Sequence, residues 1–194
     1  RWGHDGEFIG CPRLDVLQCA FASVKGFLAA ENDRNISVYA CFDNEEVGSG
    51  TKQGAASTFL YDVLWRMNKA LGKDEEEFYR AVASSFMLSC DNAHAVHPNH
   101  RQKSDETNCV YMNEGIVIKS HAGQKYTSDA VSVAIFKMIC EKAKVPVQFF
   151  SNRSDEAGGS TLGNIAMSQV SMNTVDIGLP QLAMHSAYET AGVK

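Results

Sequence analysis

Apolar positions along this chain switch between two periods. Over residues 14–29, Leu14, Leu17, Phe21, Val24 and Leu28 recur at helical spacing and predict an amphipathic helix. Residues 36–42, Ile36-Ser37-Val38-Tyr39-Ala40-Cys41-Phe42, read as a strand. Helical spacing returns over 55–71, with Phe59, Leu60, Val63, Leu64, Met67 and Leu71 on one stripe. The run Asp74-Glu75-Glu76-Glu77 predicts a further helix start, because carboxylates favour the positive end of a helix. Apolar runs at 86–88 and 114–119 read as strands. Residues 129–143 read as a helix built on Val131, Ala134, Ile135, Met138 and Ile139, and 145–150 as a strand with Pro146 near its start. A polar, glycine-bearing loop is expected at 154–160, a helix at 161–170 and a last short strand at 175–178. The polar stretch 98–113 is expected at the surface as a loop or hairpin.

Strands alternating with helices predict the α/β class, as a three-layer α/β/α sandwich around a mixed, largely parallel sheet. Functional sites in such folds gather beyond the carboxyl ends of the strands.

Composition narrows the functional classes. With 194 residues the chain is long enough for one domain with a real core. A net charge of −5 and the absence of a Lys/Arg cluster argue against nucleic acid as a partner. No apolar run approaches the ~20 residues of a membrane span. Six cysteines, at 11, 19, 41, 90, 109 and 140, include no C-x-x-C pair. They read as reduced thiols of a cytoplasmic protein, not as zinc ligands. The first residue is Arg1 and no initiator Met is present, so the chain is expected to be a portion of a longer protein.

Candidate chemistry lies where apolar runs meet loops. Glu45 and Glu46 are adjacent at the end of the run 36–42, followed by Gly48. One carboxylate of such a pair can bind a metal while the other moves a proton. Asp15, Asp91 and His185 occupy comparable positions. Each also has a plain structural reading: Asp15 as a helix cap, Asp91 as the start of a turn with Asn92, His185 as a satisfied core histidine. Together, carboxylate and imidazole groups suit zinc and related divalent ions. His94 and His97, three residues apart, could share one face of a turn.

Six stretches carry a resemblance to a known family. They are Pro12-Arg13-Leu14-Asp15, Phe42-Asp43-Asn44-Glu45-Glu46-Val47-Gly48-Ser49, Asp91-Asn92-Ala93-His94-Ala95-Val96-His97-Pro98-Asn99, Val117-Ile118-Lys119, Gln124-Lys125-Tyr126 and Leu179-Pro180-Gln181-Leu182-Ala183-Met184-His185-Ser186. In content and order they resemble the aspartyl aminopeptidase family of cocatalytic zinc metallopeptidases. The resemblance implies removal of N-terminal Asp or Glu from peptides by metal-activated water, with two divalent ions, zinc foremost. It implies Asp15 as the bridging carboxylate, Glu46 and His185 completing one metal site, and Asp91 with a further histidine completing the other. Glu45 would be the general base and acid. Lys119 would bind the acidic substrate side chain, with His94 and Tyr126 holding substrate or its oxyanion.

The family's first histidine ligand and its inserted dimerisation domain are expected upstream of Arg1. Residues 1–194 would then be part of a catalytic domain, with one metal site complete and homo-oligomerisation a property of the full-length form. Two other readings stay open: a related cocatalytic aminopeptidase of different specificity, and an inert fragment or scaffold keeping the fold.

Overall fold

The computed structural model describes all residues, Arg1–Lys194. Strand β1 (Phe8–Cys11) leads through a left-handed Arg13 into α1 (Leu14–Ala29). A short 3-10 turn, Glu45–Val47, follows, then α2 (Phe59–Ala70) and α3 (Glu75–Ala83). Next come β2 (Phe86–Cys90), β3 (Ala93–His94), β4 (Ile116–Ser120), α4 (Ala130–Ala143) and β5 (Val147–Ser151). The chain finishes with α5 (Leu162–Ala166), β6 (Asn173–Gly178), β7 (Pro180–Leu182) and β8 (Glu189–Gly192).

Several starts are written in local chemistry. Asp74 and Asp129 each accept the backbone N–H three residues on, while Glu77 and Ser132 reach back to the cap residue's own N–H. These capping boxes set the first turns of α3 and α4.

The fold is mixed α/β, with two four-stranded sheets where a single sheet was expected. Their orders are β2-β6-β4-β5 and β1-β8-β7-β3. Three strand pairings are parallel (β2 with β6, β3 with β7, β4 with β5) and three antiparallel (β1 with β8, β4 with β6, β7 with β8). The second sheet escapes sequence reading because β3 and β7 are two and three residues long, too short for a period.

Residues 36–42 form no strand. Their alternation supplies propensity, but a strand also needs a neighbouring backbone, and none of the eight strands pairs there. Ile36 and Val38 are exposed. The helix expected over 55–71 starts only at Phe59, because 49–58 folds as turns in which Ala56 N–H donates to Ser49 O. The helix expected over 161–170 is only the five-residue α5. The stretch 98–113 is a loop with one 3-10 turn, Arg101–Lys103, and no hairpin.

Alternation along the strands makes two cores. Ile118, Val175 and Ile177 pack with Phe136 and Cys140 of α4. Val117 and Phe150 point the other way and meet Ala93 and Val110. Lys119 follows Ile118 and so shares the face of Val117, which brings an ammonium into the interior beside β3. Helix α5 packs on β2 and β6, and α1 spans from β2 to β8, joining the two sheets.

Candidate active site

Three backbone kinks aim the candidate side chains. Arg13 has φ 63°, Asn44 φ 60°, and Ala183 and His185 φ 56° and 68°. Non-glycine residues held there cost on the order of 1–3 kcal/mol each and gather at functional sites. Each kink adjoins a candidate: Asp15 in the first turn of α1, Glu45 and Glu46 in the 3-10 turn, and His185 in the turn closed by Ser186 N–H to Ala183 O.

The kinks bring Asp15, Glu46 and His185 together. His185 Nε2 lies 2.9 Å from Glu46 Oε2 and 3.1 Å from Asp15 Oδ2. One ligand atom from each of the three falls within 4.8 Å of the others. Asp15 is buried at the inner end of this group, and Glu46 and His185 form its solvent side. Asp91 approaches from the end of β2 and, like Glu46, adds its charge to that of Asp15.

This arrangement fits a divalent cation. Asp15 Oδ1 and Asp91 Oδ1 are both buried without any hydrogen-bond donor. Burial, reinforced by the Asp91 and Glu46 charges, raises the Asp15 pKa well above the carboxylate range. Buried anionic oxygens with no donors are costly unless a cation neutralises them. An oxygen- and imidazole-donor set of this kind is one that zinc accepts.

Glu45 stays out of the trio, though it lines the same cleft, of about 800 Å³. Its carboxyl is pushed up to about 7, first by burial and then by Asp91 and Glu46, with Lys119 pulling the other way. A carboxyl near neutrality is suited to taking and returning a proton.

Lys119 is 1% exposed. Its Nζ donates to Asn92 O at 3.2 Å, stands 3.6 Å from Asp91 Oδ2, and lies 5.1 Å from the centre of the Tyr126 ring. Its ammonium is thus held inside the protein and not at the surface. Tyr126, Lys119 and His94 all line the cleft. Burial raises the Tyr126 pKa. His94 keeps an exposed edge, yet the surrounding protein lowers its pKa, helped by His185 and Lys119. His97 also lines the cleft, but its Nδ1 accepts Asn99 N–H and its ring lies 5.0 Å from that of His100. Ser160 does not cap α5. The cap residue is Thr161, whose hydroxyl is instead 2.7 Å from Asp176 Oδ1.

Sequence reading missed three buried polar residues that shape the site. Asn92 Nδ2 faces Leu14 O and the side-chain oxygens of Gln18 and Gln181, and its Oδ1 accepts Leu179 N–H. This pins the residue next to Asp91 to α1 and to the approach of β7. Fully buried Asp176 accepts Thr127 N–H and the Thr127 and Thr161 hydroxyls, tying the loop after Tyr126 to the loop before α5. A lone charge inside the apolar run Val175-Asp176-Ile177 was the available clue. Glu189 accepts backbone N–H groups of Leu14, Asp15 and His185, and nothing in its sequence surroundings marks it. Beside Asp91, Gly178 is required by close approach: a Cβ there would collide with the Asp91 carbonyl.

Comparison with known proteins identifies the family of the chain. The model of the aminopeptidase I zinc metalloprotease (M18) family matches residues 1–194. A probable M18 family aminopeptidase 2 of Clostridium novyi is 50% identical over 191 residues, covering 98% of this chain and 44% of that protein. A probable aspartyl aminopeptidase of Ricinus communis is 41% identical over 194 residues, covering 96% of this chain and 40% of that protein. Among solved structures, a chain in the cryo-EM structure of the Ape4 and Nbr1 complex superposes with TM-score 0.89 at 38% identity, covering 98% of this chain and 37% of that one. The S. cerevisiae mApe1 dodecamer gives TM-score 0.82 at 27% identity, with 98% and 43% covered. The chain spans less than half the length of each of these relatives. It belongs to the M18 family of zinc metallo-aminopeptidases.

Proposed function

We propose that the full-length protein removes N-terminal Asp or Glu from peptides in a metal-dependent hydrolysis. The observation that carries this reading is the convergence of Asp15, Glu46 and His185 within 4.8 Å in a cleft that Glu45 also lines. Asp15, Glu46 and His185 would hold one zinc ion. Asp15 and Asp91, with a histidine from the remainder of the protein, would hold a second. Zinc, when bound, supplies a Lewis acid that acidifies water and polarises a carbonyl. Glu45 takes a proton from the attacking water and delivers it to the departing amine. His94 and Tyr126 orient the substrate and donate to the developing oxyanion.

Acidic specificity is assigned to Lys119. Only one of its three N–H donors has a hydrogen-bond acceptor within the protein. A buried cation at the cleft wall is what an acidic side chain needs. The relative named a probable aspartyl aminopeptidase supports acidic specificity.

A second reading, an aminopeptidase of other specificity, is favoured by the Asp91 carboxylate at 3.6 Å, which already engages Lys119. The deciding experiment is a panel of peptides with N-terminal Asp, Glu, Leu or Lys given to the zinc-loaded full-length protein. Preference for Asp and Glu supports the first reading, preference for Leu or Lys the second, and no cleavage an inert scaffold.

We further propose a cytoplasmic, homo-oligomeric enzyme, to which the six free cysteines and the dodecameric relative lend support. The β2-β6-β4-β5 sheet would be the middle layer of a three-layer sandwich in the full-length catalytic domain, as its two buried faces suggest.

A further inference from the structure

Glu189 opens β8 opposite Cys11 of β1 and is 1% exposed. Its Oε2 accepts Leu14 N–H at 2.5 Å and Asp15 N–H at 3.1 Å. Its Oε1 accepts His185 N–H at 2.5 Å. Helix α1 lacks a local cap, since Arg13 offers no side-chain bond to the free N–H groups of the first turn. A carboxylate from the far end of the chain does that work, at the end of the helix where negative charge is favoured. The same carboxylate holds the left-handed turn that aims His185. We propose that Glu189 is a positioning residue that sets the separation of Asp15 and His185 before metal binds, a role that rests on reading those two residues as zinc ligands.

The Glu189 carboxylate bonds the backbone of Asp15 and of His185 and neither of their side chains, so its effect runs through backbone placement. Groups that orient metal ligands in this indirect way change metal affinity by about 10–100-fold when altered. Glu189→Gln keeps the shape and one acceptor but puts an N–H₂ against a backbone N–H on the other side.

The test measures zinc affinity of full-length wild type and Glu189→Gln by competition with a chelator, alongside thermal unfolding of the metal-free proteins. The expected result is zinc binding about 10–100-fold weaker in the folded variant. Wild-type zinc affinity in folded Glu189→Gln overturns this proposal alone. A wild type that binds no zinc overturns both this proposal and the metal-site reading beneath it. Should the variant fail to fold, hydrogen exchange on metal-free wild type decides. Slow exchange at the Leu14, Asp15 and His185 amides before zinc is added upholds the clamp, and fast exchange at these three overturns it.

Discussion

Asp91 and Lys119 lie side by side in the interior, Oδ2 3.6 Å from Nζ, with side-chain exposures of only 11% and 2%. The pair joins the proposed metal centre to the proposed specificity group, so a change at either is expected to be felt at both.

Lys119→Met in the full-length enzyme should weaken kcat/KM for Asp-peptides about 10- to 100-fold more than for Leu-peptides, the value of ~1.5–3 kcal/mol for a hydrogen bond to a charged group. Some loss on every substrate is expected because Asp91 is left uncompensated. The ratio between substrates is therefore the measurement, and an equal loss on both removes Lys119 from substrate recognition.

Glu45 and Glu46 should separate cleanly. Glu45→Gln is expected to bind zinc as wild type does and to lose about 10²–10⁴-fold in kcat, the range for a general acid–base. Glu46→Gln should bind zinc more weakly and regain part of its activity when zinc is raised. Identical behaviour of the two in both the zinc-binding and the turnover measurement would refute the assigned roles.

The 194-residue chain by itself should retain no more than one tightly held zinc after dialysis, counted by elemental analysis, because only the trio of Asp15, Glu46 and His185 is complete within it. Zinc at 100 times its Kd should add ~2.7 kcal/mol of stability, and chelation should remove it. Two tightly held ions per chain would contradict this division.

Asp129 offers a stability test remote from the centre. Hydrogen bonds from the Ser132 backbone and side chain hold its pKa below the ordinary 3.8. A depressed folded-state value stabilises the protein above 3.8 and ceases to do so as pH falls through the folded value. Asp129→Ala should cost about 1 kcal/mol at neutral pH, roughly 2–4 °C in Tm, and the gap to wild type should close in acid.

Much of the candidate site was visible in sequence because its members sit where an apolar run stops: Glu45 and Glu46 after Phe42, Asp91 after Cys90, His185 after Leu182. The α3 start was legible through its acidic run, and α4 through its apolar spacing. What stayed hidden depends on contacts between distant segments. Residues 36–42 have strand propensity but no neighbour, and β3 and β7 have neighbours but almost no length. Asn92, Asp176 and Glu189 work on backbone groups far away in sequence, and those partners cannot be read from local pattern.

The Glu189 bridge also orders events in time. It joins positions 175 apart in the chain, so the first turn of α1 cannot acquire its cap until β8 has been made and brought to β1. Contacts of such separation carry a high loop-closure entropy and form late. The proposed metal centre would then be among the last parts of this chain to take shape during synthesis. A nascent polypeptide that already carries Asp15, Glu46 and His185, but stops short of residue 189, would own the candidate ligands without yet owning the site.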